Sequence, residues 1–213
     1  MRLLVATRSG HKLREIRTIL GEVPGVELLD LNDVGVGYAA DEEEIEVFET
    51  FEENAAAKAR YFRDRTGMPT VADDSGLVVD ALDGAPGVHS KRFAPPSRDL
   101  SPEDRDRANN EHLLELLGDL ELPQRTARYV CVAVLEPGGT ALRGEVEGLI
   151  LDEPRGEGGF GYDPLFFHPP AGRTFGELSA REKDQRSHRG AAFRALASHL
   201  LGSKEVRSKE GRP

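Results

Sequence analysis

The sequence is poor in cysteine and in long apolar runs, and each shortage excludes a class of protein. Its 213 residues include one cysteine, Cys131, and no tryptophan. One cysteine cannot form an internal disulfide, so we interpret Cys131, inside ARYVCVAVLE, as a small core residue. No apolar run approaches the ~20 residues of a membrane span, and the N-terminal run is too short for a signal peptide. We therefore expect a cytoplasmic protein without a membrane partner.

Positive charge is also scarce. The chain has 28 Lys and Arg residues against 38 Asp and Glu residues, for a formal net charge of −10. Sequence-independent binding of nucleic acid requires a basic surface, so we expect no nucleic-acid polymer as a partner. A local group of basic side chains with Mg²⁺ can still hold a small polyphosphate. The length suits one α/β domain, predicted over residues 1–202, followed by a polar tail at 203–213 that we expect to be disordered.

Helix and strand patterns are interspersed along the chain. A strand is predicted at 2–6, followed by a helix in HKLREIRTILG. A second helix follows Thr50, which forms a predicted capping box with Glu53, and it ends at Gly67. A later helix is predicted to begin after Ser101, its N-cap, with Pro102 at the first helical position. RTARYVCVAVLEPGGTALRGEVEGLIL predicts two long strands joined by a Pro-Gly-Gly turn. We read the acidic run 41–46 as solvated surface. These patterns predict an α/β fold with a mixed sheet.

The segment ATRSGHK, residues 6–12, joins the first strand to the first helix. Such a junction presents free backbone N–H groups and the positive end of a helix dipole, which suit an anion. Thr7 and Ser9 add hydroxyl groups, and Lys12 adds a positive charge. The alternative is an ordinary loop in which Ser9 caps the helix.

Two adjacent carboxylates, Asp73 and Asp74, lie within PTVADDSGLVVDAL. They could form a turn, because Asp, Ser and Gly all favour turns. They could instead serve a metal ion or act as a general base. Neighbouring side chains of an extended segment point in opposite directions, so the two carboxylates should not share one task.

Two further segments could bind a ligand. GEGGFGYDP matches the dinucleotide pattern G-x-G-x-x-G at Gly156, Gly158 and Gly161, but the prolines that follow exclude the required helix. Such a loop can instead admit a flat ring on which Phe160 stacks, or it can be a turn with a packed Phe. REKDQRSHRG supplies donors that would suit an anionic or carbonyl-rich partner, unless they form a solvated basic patch.

Taken together, six segments resemble the RdgB-like inosine/xanthosine triphosphate pyrophosphatase family. In order they are ATRSGHKLREI, TFEENAAAKA, ADDSGLVVDAL, GAPGVHSKRF, GGFGYDPLFF and EKDQRSHRGAA. The resemblance implies an α/β fold of two lobes around a long mixed sheet, with the active site in the cleft between them. It also implies a homodimer. The implied reaction is Mg²⁺-dependent hydrolysis of ITP, dITP and XTP to the nucleoside monophosphate and pyrophosphate.

The resemblance also implies roles for individual residues. Asp74 would be the catalytic carboxylate and a Mg²⁺ ligand, with Glu46 as the second metal ligand, and Lys58 would help to offset the charge of pyrophosphate. The substrate would be bound by three groups: Thr7, Arg8, Ser9, Gly10, His11 and Lys12 at the triphosphate; Ser75 beside the catalytic carboxylate; and Phe160, Gly161, Tyr162, Asp163, Lys183, His188 and Arg189 around the nucleoside and its base.

The chain departs from the family pattern at two places. Ser9 stands where the family usually has Asn in T-x-N-x-x-K, and Val47 and Phe48 replace a Thr-Gly pair before the second helix. Two other functions remain open at this level: a Maf-like nucleotide pyrophosphatase with a different base preference, and a nucleotide-binding protein that has lost catalysis.

Overall fold

The computed structural model describes residues 1–95 and 100–210, with side chains up to residue 202. The helices are α1 (Gly10–Leu20), α2 (Phe51–Thr66), α3 (Pro102–Leu117), α4 (Ala180–Arg186) and α5 (His188–Glu210). The strands are β1 (Arg2–Val5), β2 (Glu27–Asp30), β3 (Thr70–Val79), β4 (Thr126–Glu136), β5 (Thr140–Ile150), β6 (Phe166–His168) and β7 (Arg173–Thr174).

The strands form one mixed sheet in the order β2-β1-β3-β4-β5-β6-β7. β1 runs parallel to both β2 and β3, with Leu4 opposite Thr70. β6 runs antiparallel to both of its neighbours. β4 and β5 are adjacent and are joined at Pro137, Gly138 and Gly139, as the sequence predicted. The predicted α/β fold with a mixed sheet is therefore confirmed.

The chain divides into two compact units. The first, called here unit 1, contains Met1–Asp74, Cys131–Gly144 and the residues from Arg189 onward. Its core is formed by α1, the early strands and α5, with Leu3, Ile16 and Phe193 almost completely buried. Cys131 belongs to this core and is fully buried, which confirms its predicted place.

The second, unit 2, contains Ser75–Val130 and Glu145–His188. Its core is rich in aromatic rings: Tyr129, Phe166 and Phe175 contact one another, with ring centroids 4.6 to 6.0 Å apart. Leu113 and Leu117 of α3 belong to the same buried cluster. Both units therefore contain a substantial apolar core of their own.

The predicted helix ends agree closely with the structure. Thr50 caps α2 by accepting a hydrogen bond from Glu53 N, and Gly67 ends the helix in the left-handed conformation. Ser101 caps α3, with Pro102 in its first turn. α5 continues to Glu210, past the boundary predicted at residue 202, so the backbone of 203–210 is helical where the sequence predicted a disordered tail. Residues 211–213 of the predicted tail lie outside the described residues, and the single domain over 1–202 and the cleft between lobes stay predictions.

Across the two described ranges, 1–95 and 100–210, every helix is too short or too polar to cross a membrane.

Candidate active site

The loop between β1 and α1 has the form of a helix N-terminus with a serine cap. Ser9 Oγ accepts a hydrogen bond from Lys12 N at 3.4 Å, and Thr7 Oγ1 accepts one from Ser9 N at 3.2 Å. Gly10 begins the helix, and the first turn contains no acidic side chain. His11 Nδ1 lies 2.8 Å from an Arg14 nitrogen. The loop therefore places the positive end of the α1 dipole, with no acidic side chain in the first turn, beside two hydroxyl groups. Both features suit a bound anion.

The Arg8 side chain turns away from this helix end and fastens a neighbouring loop. Its guanidinium donates to both carboxylate oxygens of Glu42, at 2.9 and 2.6 Å. It also donates to the carbonyls of Val36 and Gly37 and lies 5.7 Å from the Phe62 ring centre. Glu42 belongs to the acidic run 41–46, so this member of the run is a buried ion-pair partner instead of a solvated side chain.

Asp73 is buried, and one of its carboxylate oxygens lies against two cations. Its Oδ2 lies 3.2 Å from Lys12 Nζ and 3.3 Å from Arg189 Nε, and the Cys131 thiol lies 3.8 Å away. Burial acts to raise the pKa of Asp73, but Lys12 and Arg189 outweigh it and hold that pKa well below its ordinary value. Asp73 is therefore an ionised carboxylate whose charge is neutralised by two cations.

Asp74 lies in a different environment although it is the next residue of β3. Asn54 Nδ2 of α2 donates to Asp74 Oδ2 at 3.1 Å. Burial raises the pKa of Asp74 above its ordinary value, and Lys12 and Lys58 oppose that rise only in part. The two carboxylates thus have opposite pKa shifts, which fits the prediction that they have separate tasks.

Glu46 and Lys58 complete this cluster. They form a close ion pair, and Lys58 lies one helical turn after Asn54 on the same face of α2. Burial acts to raise the pKa of Glu46, but Lys58 brings it below its ordinary value. Burial acts to lower the pKa of Lys58, and Glu46, Asp73 and Asp74 together raise it above its ordinary value. One lysine therefore serves three carboxylates.

The cluster has the ligand chemistry that a hard divalent cation needs. Within 1–95 and 100–210, no three His, Cys, Asp or Glu side chains converge in a ready metal site. Mg²⁺ needs only one or two carboxylates, because water and phosphate oxygens fill its other positions. Asp74 and Glu46 supply two such carboxylates, and they lie near enough to one another for the charge of Glu46 to raise the pKa of Asp74. The residues present therefore fit such a cation.

In unit 2, the predicted ring-and-donor group comes together around Asp163. Lys183 Nζ of α4 lies 2.6 Å from Asp163 Oδ2 and 4.6 Å from the centre of the Phe160 ring. Phe160 N donates to the same carboxylate oxygen at 2.8 Å. A Cβ at Gly159 would lie 2.0 Å from that oxygen, so the loop requires glycine there. The result is a cation held against an aromatic face.

Helix α3 supports the same loop from outside the predicted motif. Asp106 Oδ2 accepts a hydrogen bond from Gly161 N at 2.6 Å, and Asn110 Nδ2 donates to Gly161 O at 3.0 Å. The Tyr162 hydroxyl donates to the Ser90 carbonyl at 2.9 Å. No helix follows the glycines directly, which confirms the rejection of a dinucleotide-binding motif.

His188 and Arg189, adjacent at the start of α5, belong to different units. The His188 ring stacks on Tyr129 at 4.6 Å between centres and 8° between planes, in unit 2. Arg189 is almost fully buried in unit 1, where it pairs with Glu15 and Asp73. The structure thus places Lys183 and His188 in unit 2 and Arg189 in the carboxylate cluster of unit 1. Ser75, half-buried, follows Asp74 along β3.

Sequence reasoning missed several residues that shape these sites: Glu15, Asp106 and Asn110 as partners of predicted residues, and Asn54 as a partner of Asp74. A signal existed for the asparagines. Asn is a poor helix former, so an Asn inside a helix often has a specific hydrogen-bond role. Asp106 and Glu15 gave no such signal, because acidic residues on helices are ordinarily solvated.

Comparison with known proteins identifies the family. The chain matches the model of the Ham1 family over residues 3–199. It is 48% identical over 204 residues to the dITP/XTP pyrophosphatase of Frankia alni, covering 94% of this chain and 97% of that protein. It is 48% identical over 202 residues to the protein of the same name from Geobacter sulfurreducens, covering 93% and 96%. The solved structure of a HAM1 protein from Coxiella burnetii superposes with a TM-score of 0.81 at 35% identity, covering 95% and 99%. The chain belongs to the Ham1 family, which confirms the resemblance seen in its motifs.

Proposed function

We propose that this protein hydrolyses non-standard purine nucleoside triphosphates, ITP, dITP and XTP, to the monophosphate and pyrophosphate. The observation that carries the proposal is the buried Asp74, whose pKa is raised and which lies beside Lys12 and Lys58. A raised pKa makes a carboxylate a stronger proton acceptor, as a general base must be. The names of the Frankia and Geobacter relatives supply the substrate class.

Asp74 would position a water molecule and take its proton as the water oxygen attacks the α-phosphorus. The bond from the α-phosphorus to the bridging oxygen breaks, and pyrophosphate leaves with that oxygen. Lys12 and Lys58 would offset the negative charge on the leaving group. Thr7, Ser9 and the backbone amides from Arg8 to Lys12, including those of Gly10 and His11, would hold the triphosphate oxygens.

We propose Mg²⁺ as the cofactor, held by Asp74 with Glu46 assisting. When bound, it supplies positive charge that neutralises the triphosphate oxygens and the departing pyrophosphate. A cation would also relieve the repulsion between these two carboxylates, since the charge of Glu46 contributes to the raised pKa of Asp74.

The base would be selected by hydrogen bonding in unit 2. Hypoxanthine and xanthine carry a 6-oxo group, which would accept from Lys183 or His188, with the base stacked on Phe160. Adenine presents a 6-amino donor instead and would leave those donors unpaired, at a cost of about 1–3 kcal/mol. Guanine also has the 6-oxo group, so its rejection must come from its 2-amino group. Gly161, Tyr162 and Asp163 would hold the loop, and Ser75 would contact the substrate beside Asp74. The Arg189 side chain is buried against Asp73, so we propose that it neutralises that carboxylate in unit 1 and leaves the base to the residues of unit 2.

Pyrophosphate release from ITP, XTP, dITP, GTP and ATP, with and without Mg²⁺, tests the activity. We expect ITP, dITP and XTP to be preferred and turnover to require Mg²⁺. Asp74→Asn should reduce kcat by about 10²- to 10⁴-fold, the usual contribution of a general base. Glu22→Gln is the matched control, since Glu22 is an exposed carboxylate of the same unit. Full activity in Asp74→Asn would remove Asp74 from the mechanism.

The same panel separates the rival functions. A Maf-like enzyme would prefer other bases, and the names of the Frankia and Geobacter relatives favour the purine preference over it. A binding protein without catalysis would bind ITP tightly and release no pyrophosphate. We further propose that the protein acts in the cytoplasm as a homodimer, for which light scattering should give twice the mass of one chain.

A further inference from the structure

Asn54 is buried, 2% exposed, at the start of α2, and its side chain joins two parts of the carboxylate cluster. On one side, its amide forms two hydrogen bonds with the backbone of Phe48: Oδ1 accepts from Phe48 N at 2.9 Å, and Nδ2 donates to Phe48 O at 3.0 Å. On the other side, Nδ2 donates to Asp74 Oδ2 at 3.1 Å. One amide therefore links β3 to the loop that precedes α2.

The orientation of this amide is determined by its partners. Phe48 N–H is a donor, so it must face the Asn54 oxygen, while Phe48 C=O and the Asp74 carboxylate are acceptors and must face the nitrogen. Rotating the amide by half a turn would oppose like groups at all three contacts. Asn54 therefore presents an N–H donor to Asp74 in one fixed direction.

The same loop carries Glu46, two residues before Phe48. Glu46 pairs with Lys58, which lies one turn after Asn54 on the same face of α2. This face of α2 thus fixes two carboxylates from different parts of the chain: Asn54 holds Asp74, and Lys58 holds Glu46. Only an asparagine offers an acceptor and two donors at this short reach, because Asp lacks the donors and Gln is longer.

We propose that Asn54 is a positioning residue for the proposed hydrolysis. It orients the Asp74 carboxylate to accept a proton from the water that attacks the α-phosphorus. By its hydrogen bonds to the Phe48 backbone, it also holds the loop that carries Glu46. It does so without touching the reacting phosphate. This inference rests on the proposed function, since it concerns the same carboxylate.

Two variants at Asn54 separate these two parts of the role. Asn54→Asp keeps an acceptor for Phe48 N–H but loses both donors, whereas Asn54→Ala loses every contact. We expect kcat for ITP to fall about 10- to 100-fold in both, the range for a lost buried hydrogen bond to a charged group. KM and the affinity for an α,β-methylene analogue of ITP, which resists hydrolysis, should change less than about threefold.

Amide hydrogen exchange measures the clamp without using activity. Exchange at Phe48 N–H should become faster in Asn54→Ala and stay near the wild-type rate in Asn54→Asp, which retains the acceptor.

Asn109 of α3 provides a matched control. It is 3% exposed and clamps a backbone in the same way, accepting from Ala94 N at 2.9 Å and donating to Ser90 O at 3.3 Å. Both Asn54→Asp and Asn109→Asp lose buried hydrogen bonds, so we expect both to be less stable than the wild type. Asn109→Asp should nevertheless keep kcat within about threefold of the wild-type value.

The outcomes are distinct. An Asn54→Asp enzyme with wild-type kcat would overturn the proposal, as would an equal loss of kcat in Asn109→Asp. Unchanged exchange at Phe48 in Asn54→Ala would overturn the clamp. Absence of turnover by the wild-type protein with every purine triphosphate would instead contradict the proposed function itself.

Discussion

Both units bury a paired carboxylate beside residues proposed to contact substrate, Asp73 in unit 1 and Asp163 in unit 2, but the two are neutralised differently. Asp73 in unit 1 is held by two cations, Lys12 and Arg189. Asp163 in unit 2 pairs with one cation, Lys183, and also accepts from the Phe160 backbone. Two cations contact the same oxygen of Asp73, whereas the single ion pair named for Asp163 lies against an aromatic ring.

The difference teaches what each ion pair can do. Removing one partner of a buried pair leaves an uncompensated charge, and the cost grows with the number of charges left behind. We therefore expect the Asp73 group to support the site next to Asp74 on β3. The Asp163 group places a lysine beside Phe160, where the cation and the ring can both face a planar ligand.

The largest effect should come from removing each carboxylate in turn. Asp73→Asn takes a buried partner from both Lys12 and Arg189, although Arg189 keeps its pair with Glu15, and we expect it to lower the free energy of unfolding by about 5 kcal/mol. Asp163→Asn takes a buried partner from one cation, Lys183, and should cost about 3 kcal/mol. Urea denaturation measures both.

Asp64→Asn serves as the control for these variants, because Asp64 forms only an exposed pair with Arg63, which should be worth less than about 1 kcal/mol. Equal losses of unfolding free energy for Asp73→Asn and Asp163→Asn would show that the cost does not depend on the number of cations that contact the carboxylate.

A smaller effect should separate close packing from backbone strain in the unit 2 loop. Gly159 and Gly161 both have positive φ, 76° and 62°, but a Cβ clashes with Asp163 only at Gly159. Both alanine variants should be destabilised by backbone strain at positive φ. Gly159→Ala should lower the free energy of unfolding by a further ~1–3 kcal/mol through overpacking. Thermal or urea unfolding compares them directly, and identical stabilities would mean that the Asp163 side chain moves aside without cost.

The smallest effect concerns base selection. Lys183→Met keeps the length of the side chain but removes its donor, so the ratio of kcat/KM for ITP over ATP should fall about tenfold. Pyrophosphate release from both nucleotides measures that ratio. Lys91→Met, at an exposed lysine of the same unit, should leave the ratio unchanged. If Lys183→Met kept the wild-type ratio, the base would have to be read by other residues.

Local features of the fold were predictable from the sequence. The caps at Thr50 and Ser101, the stop at Gly67 and the Pro-Gly-Gly connection each depend on residues within a few positions, and all agree with the structure. The different environments of Asp73 and Asp74 were also predictable in outline, because side chains alternate along a strand.

The partners of charged side chains were not predictable in the same way. Glu42 belongs to an acidic run that suggests solvated surface, yet it is buried against Arg8. Arg189 sits beside His188 in the sequence, yet it packs against Glu15 and Asp73 in the other unit. These contacts join residues 34 to 174 positions apart, so no local pattern records them.

The sequence by itself thus determined the helix ends, the turn chemistry and the order of the family motifs, because these follow from the conformational preferences of short segments. Only the tertiary structure decided which of two adjacent carboxylates is neutralised and which has a raised pKa. That choice depends on burial and on cations brought to β3 by α1, α2 and α5, and electrostatic effects of this kind exist only once distant elements have packed together.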